Sequence, residues 1–246
     1  MSAVAIRLLI LACIFGAGLF GMFLRTRLPE QHLSVDTKDT VRLGIGMIAT
    51  MAALVLGLLV ASAKNFYDAQ SSELTQMSAN VVVLDRLLAQ YGPETKEARD
   101  LMRAAVARTL DLLWHQDQAD PAVAGGGILY EKIQALSPKT DAQQAFKAQA
   151  AGLAIDLGKS RWLMFEQGTT SVSLPLLAVL VFWLVIVFAS FGLFAPTNFT
   201  IIATLFLCAL SVSGAVFLIL EMYTPFKGLM QLSDAPLRSA LAHLGQ

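Results

Sequence analysis

DTKDTVRLGIGMIATMAALVLGLLVASAK, residues 36–64, decides the fold. Within it, residues 41–63 carry a single charge, Arg42, at one edge. The hydrocarbon core of a bilayer takes roughly 20 apolar residues in helical form, so this run is predicted to cross a membrane. At about 100° per residue, Asp39, Arg42, Gly46, Thr50, Ala53, Gly57, Ala61 and Lys64 fall on one stripe. Charges close both ends of that stripe, and small or weakly polar residues fill it. Such a face has two physical uses. Small residues let a second helix backbone approach closely, which is the commoner use of a Gly/Ala face. The same residues also suit the wall of a narrow water-filled path, with the end charges acting on ions.

Working outward, three more runs are long and apolar enough to span: residues 3–24, 172–194 and 199–220. The first has the length of a signal peptide. Arg25 and Arg27, however, stand where a cleavage site would carry small residues, so it is read as a retained helix. The third places Pro175 in its first turn, where a missing N–H costs little. Ala195-Pro196-Thr197-Asn198 is a tight connection that makes the third and fourth spans an antiparallel hairpin. With four spans, both termini and segment 64–171 share one side of the membrane. Loop 25–40 and turn 195–198 share the other. Lys and Arg are nearly balanced between the two sides, so charge alone does not orient the chain.

Composition fits this reading. The 246 residues are 56% hydrophobic and 15% charged, where soluble domains carry about 25% charge. Net charge is zero, so there is no basic footprint for nucleic acid. Cys13 and Cys208 lie in apolar runs and are expected to be small buried hydrophobes, not a disulfide or metal pair. His32, His115 and His243 are far apart and lack metal-ligand spacing. No cofactor or metal is expected, and no enzyme.

Segment 64–171 shows no period-2 alternation and reads as helical throughout. Leu74, Met77, Val81, Leu84, Leu88 and Tyr91 repeat at alternating steps of three and four, a coiled-coil-like seam that continues helix two beyond the membrane. Gly92-Pro93 ends it. The next helix runs to about Gln116, with Ala98, Leu101, Ala105, Leu112 and Leu113 on its apolar face and Glu97, Arg99, Arg103 and Arg108 on a solvated one. Residues 117–127 form a loop whose three glycines follow no strand and precede no Lys-Ser/Thr, so they are not a phosphate loop. A short helix follows over 128–136, and Ser137-Pro138 stops it and caps a long one from Lys139 to about Gln167. Phe146, Ala150, Leu153, Leu157 and Met164 are its expected buried face. Asp36 and Thr37 are candidate N-caps for helix two, with Asp39 in its first turn complementing the helix dipole. Glu221 is read as a boundary carboxylate in water. In the tail, Leu237, Leu241 and Leu244 mark a short amphipathic helix, placed either on the bundle or on the membrane surface.

The strings LPEQHLSVDTKDTVRLGIGMIATMAALVLGLLVASAK (28–64), LDRLLAQYGPETKEARDLMR (84–103) and LEMYTPFKGLMQLSDAPLR (220–238) resemble the bacterial bestrophin-like family. The resemblance implies a bestrophin layout: four membrane helices, cytosolic termini and a helical cytosolic domain between helices two and three. It further implies a ring-shaped channel lined by helix two, with Leu56-Gly57-Leu58 at the place of the neck. Two features depart from true bestrophins. This helix two has no aromatic residue, and Pro225-Phe226 is followed by Lys227 with no acidic run, so a calcium clasp is not implied.

The expected protein is therefore an all-α membrane protein of four transmembrane helices with a helical extramembrane bundle. Residues 1–63 hold helices one and two, 64–171 a cytoplasmic helical domain, 172–221 the hairpin of helices three and four, and 222–246 an amphipathic cytoplasmic tail. The resemblance places it in a bacterial inner membrane, with lipid, small inorganic ions and further copies of itself as partners. The expected function is a homo-oligomeric ion channel. Asp39, Arg42, Gly46, Thr50, Ala53, Gly57, Ala61 and Lys64 line its pore, with Asp36 at the mouth. The alternative is a membrane-anchored helical interaction or sensory protein without ion flux.

Overall fold

The computed structural model describes residues 3–29, 35–114, 126–167 and 173–245. The described residues are helical, without strands: α1 (Ala3–Arg27), α2 (Val35–Tyr91), a 3-10 turn (Pro93–Thr95), α3 (Lys96–Trp114), α4 (Gly126–Gln134), α5 (Asp141–Gln167), α6 (Leu174–Phe194), α7 (Phe199–Met222) and α8 (Ala235–His243). Four helices, α1, α2, α6 and α7, are long and apolar enough to cross a membrane. The chain divides into two compact units, residues 1–66 with 171–223 and residues 67–170 with 224–246.

The first unit is the membrane bundle. Its core joins Ile14 of α1, Ala52, Leu59 and Ala63 of α2, Leu180 and Leu184 of α6, and Ala209 and Val216 of α7. The closest approach is between α1 and α6. A Cβ added to Gly21 would collide with the Ala189 carbonyl, and one added to Gly192 with the Gly18 carbonyl. Small residues on both helices thus bring backbone onto backbone, the packing that associates helices where lipid removes the hydrophobic drive. Polar contacts tie α1 at both ends. The Ser213 hydroxyl donates to the Arg7 carbonyl at 3.0 Å, and the Arg7 guanidinium lies 5.1 Å from the centre of the Phe217 ring. At the other end Arg25 donates to the Ala195 carbonyl in the α6–α7 turn. Helix α1 therefore runs beside α6 and α7 as an integral member of the bundle.

The second unit is a helical bundle built on the seam read from the sequence. Leu74, Met77, Val81, Leu84, Leu88 and Tyr91 are all buried. Leu74 to Leu88 of this seam pack with Met102, Val106 and Leu110 of α3, Ile133 of α4, Ala150 and Met164 of α5, and Leu237 and Leu244 of the tail. The tail helix thus packs on this bundle. Trp114 fixes its approach: the indole N–H donates to the Leu232 carbonyl at 2.9 Å, and the ring meets Phe226 edge-on. Gly92 adopts φ 140°, a conformation that favours glycine, and turns the chain from α2 into α3. Thr95 locks the turn, its buried hydroxyl lying 2.6 Å from the Leu88 carbonyl and 2.8 Å from that of Gly92.

Several sequence expectations shift. Helix α2 is already helical at Val35, so Asp36 and Thr37 lie within the helix and do not precede it. On α3 the buried side chains are Ala98, Met102, Val106, Thr109, Leu110, Leu112 and Leu113, while Leu101 and Ala105 are half-buried. On α5 the deepest positions are Ala150, Ala151, Ala154 and Met164, with Phe146, Leu153 and Leu157 at the edge. Gly126 and Gly127 open α4 instead of ending a loop. Thr140, not Ser137, caps α5: its hydroxyl accepts the Gln143 N–H at 3.2 Å, and the Gln143 side chain accepts the Lys139 N–H at 2.7 Å. That reciprocal pair resembles a capping box. His32, His115 and most of the 117–127 loop lie outside the described residues.

Candidate functional site

The membrane part of α2 presents two unlike faces. Ile45, Ala52, Leu59 and Ala63 are buried and hold the helix to its own unit. Asp39, Arg42, Gly46, Thr50, Ala53, Gly57, Ala61 and Lys64 are all exposed. Nothing lies within 4 Å of a Cβ added to Gly46 or Gly57. At Gly46 and Gly57 no neighbouring helix comes close, in contrast to Gly21 and Gly192. The side chain of Asp36 lies outside the described residues.

The stripe is quiet along its middle and charged at its ends. The Thr50 hydroxyl returns its proton to the Gly46 carbonyl at 2.8 Å, so its remaining lone pairs face outward. Arg42 lies 3.6 Å from Asp39, one turn away, with each side chain about two-thirds exposed. A pair so open to solvent is weak and leaves both charges available to a third ion. Beside the stripe runs a second exposed row, Leu43, Met47, Met51, Leu54 and Leu58, each at least half exposed. A small, weakly polar strip next to a bulky apolar one is a face made for two environments, one wet or tightly apposed and one oily.

On its other flank α2 borders a groove of about 620 Å³. Arg42, Ile45 and Gly46 form one side, with Phe191 and Phe194 of α6 and Leu205 of α7 across from them. Two of the eight stripe residues, Arg42 and Gly46, thus lie at its edge. Cys208 also lines it, and both Cys208 and Cys13 are exposed, contrary to the expectation of burial. Apolar spans leave most of their outer surface uncovered, and a cysteine there is as comfortable as in a core.

Glu221 is the other departure. It is 3% exposed, not a carboxylate in water. The last turn of α7 packs inward, with Tyr223 stacked on Phe66 and its hydroxyl 3.1 Å from that of Ser62. Glu221 stands four residues after Phe217 and eight after Ser213, on the buried stripe of α7.

A further set of functional-looking polar residues belongs to the second unit. Asp85 is 5% exposed. Arg99 grips it with both arms, Nε to Oδ1 at 2.7 Å and Nη2 to Oδ2 at 2.9 Å. The Gly245 N–H donates to Oδ2 at 3.2 Å, and Arg103 reaches the Leu244 carbonyl at 3.5 Å. Burial pushes the Asp85 carboxyl up, but Arg99, the Gly245 N–H and Arg103 together hold it below its ordinary value. This is a structural clamp on the tail. The sequence places Arg99 on a solvated face, whereas the fold turns it onto Asp85. The 14-residue separation from Asp85 hides the pair from any helical-spacing argument. Among the described residues no three His, Cys, Asp or Glu gather as a metal site.

No curated protein and no solved structure matches the chain. The family model of the bestrophin-like domain matches residues 12–237. That span covers most of α1, all of the other three apolar helices and most of the tail, so the chain is a member of the bestrophin-like family of membrane proteins.

Proposed function

We propose that this protein is a homo-oligomeric ion channel in which the exposed stripe of α2 lines the pore. The observation that carries the reading is the contrast within one helix bundle. Backbone fills the space at Gly21 and Gly192, while Gly46 and Gly57, like Gly16, Gly44 and Gly214, meet open space; on α2 the open positions continue through Ala53 and Ala61 as one exposed stripe between charged ends. A small-residue face left open by its own unit is free to look onto an axis shared by several copies. The apolar row at Leu43, Met47, Met51, Leu54 and Leu58 then meets lipid or the next copy. Family membership supports the same assembly. In this arrangement Asp39 and Arg42 ring one mouth, Lys64 rings the other, and Gly46, Ala53, Gly57 and Ala61 set the width. Cytoplasmic placement of the second unit and the termini, in a bacterial inner membrane, belongs to the same proposal.

The test is ion flux from liposomes holding the purified protein. The wild type is expected to pass a common inorganic ion, and charge reversal at Asp39 or Arg42 to change the ratio of anion to cation flux severalfold. Rings of charge act on permeant ions at close range. Absence of flux with every common ion would remove the channel reading and leave the anchored interaction protein.

A further inference from the structure

The groove beside α2 has a chemistry distinct from that of the stripe. Its walls are apolar: Ile45 of α2, Phe191 and Phe194 of α6, and Leu205 of α7. Its two wall hydroxyls are satisfied within their own helices. Ser190 donates to the Ile186 carbonyl at 2.8 Å and Thr204 to the Thr200 carbonyl at 2.9 Å. The body of the groove thus asks for no polar partner, and its volume of about 620 Å³ lies in the range of ordinary ligand sites. Its end is different. Ala195 and Pro196, in the turn between two membrane helices, close it there. Arg42 lines it at the same end, and Arg25 is held to the Ala195 carbonyl. Among its lining residues Arg42 is the one charged group, and no carboxylate shares the wall. Asp39 approaches Arg42 from the solvent side as an exposed, screened pair.

We propose that this groove is a site for an anionic phospholipid, with an acyl chain along the aromatic wall and the phosphate at Arg42. The site is apolar along its length and carries a cation at Arg42, which matches an acyl chain ending in an anionic headgroup. A guanidinium suits the phosphate because its planar donors meet two oxygens at once. The proposal shares Arg42 and Gly46 with the pore reading, but it is read by lipid content and not by flux, so the two fail separately.

The experiment is native mass spectrometry of the full-length protein, delipidated in detergent and titrated with phosphatidylglycerol, phosphatidylcholine or inorganic phosphate. Arg42→Gln and Gly46→Leu are compared with the wild type. Gly46→Leu fills the groove from α2, and no atom within 4 Å of its Cβ opposes it. The wild type should retain phosphatidylglycerol over phosphatidylcholine. Arg42→Gln should cut that retention about fivefold, the effect of one basic residue at a lipid surface. Gly46→Leu should abolish retention of both lipids, and inorganic phosphate should not displace either. Equal retention of the two lipids, or retention unchanged in both variants, would overturn the proposal. So would displacement by inorganic phosphate, which would make the site one for a free anion. If Gly46→Leu changed the size of the assembly while bound lipid per chain stayed constant, the groove would belong to a neighbouring copy and the proposal would fall.

Discussion

Asp85 shows how much one buried carboxylate can organise. Three donors from two places in the chain converge on it, and removing either charge leaves the other stranded away from water. Arg99 is a quarter exposed, so part of the loss is recovered by solvent. Asp85→Asn or Arg99→Ala is therefore expected to cost about 2–3 kcal/mol, seen as an earlier thermal transition in tryptophan fluorescence. The pH dependence has a definite sign. A carboxyl held below its ordinary value of 3.8 contributes stability that is complete above that pH and is lost as pH falls through the lower folded value. The wild type should lose stability below about pH 3.8, and Asp85→Asn should lose distinctly less over the same window. Equal slopes for the two proteins would show that Asp85 is not the group that matters there.

At the scale of the element, the apolar period carried most of the information. The seam from Leu74 to Tyr91 was legible because large side chains at steps of three and four leave little choice of face. On α3 and α5 the expected Ala98, Leu112, Leu113, Ala150 and Met164 are buried, whereas Leu101, Ala105, Phe146, Leu153 and Leu157 stay half-buried at the edge. Both helices are rich in alanine, and Ala105, Ala151 and Ala154 do not announce whether they lie inside or at the edge. The α1–α6 crossing went unread, although small residues three apart on each helix, Gly18 with Gly21 and Ala189 with Gly192, were the available sign. That crossing makes a direct prediction. Gly21→Leu drives a side chain into the α6 backbone, and overpacking of this kind typically costs about 1–3 kcal/mol or more. The variant should melt earlier in detergent than Gly57→Leu, whose Cβ meets open space. A melting order reversed from this would mean that α2, not α1, makes the tight contact.

At the scale of the whole molecule, the four spans were plain in the sequence because length and hydropathy alone define them. The candidate site was legible as a stripe on a helix, but its surroundings were not. A sequence shows which residues share a face; only the packed bundle shows that this face is left exposed by its own unit. The groove at Arg42 was invisible for a related reason, since its far wall comes from α6 and α7, some 150 residues on. The central claim, that copies of this chain meet around the exposed stripe of α2, is tested most directly by single-particle imaging of the purified protein in lipid nanodiscs. The account predicts a closed ring with Asp39, Thr50, Gly57 and Lys64 turned toward the symmetry axis. A monomer, a dimer without a central path, or a ring whose axis is lined by another helix would contradict it.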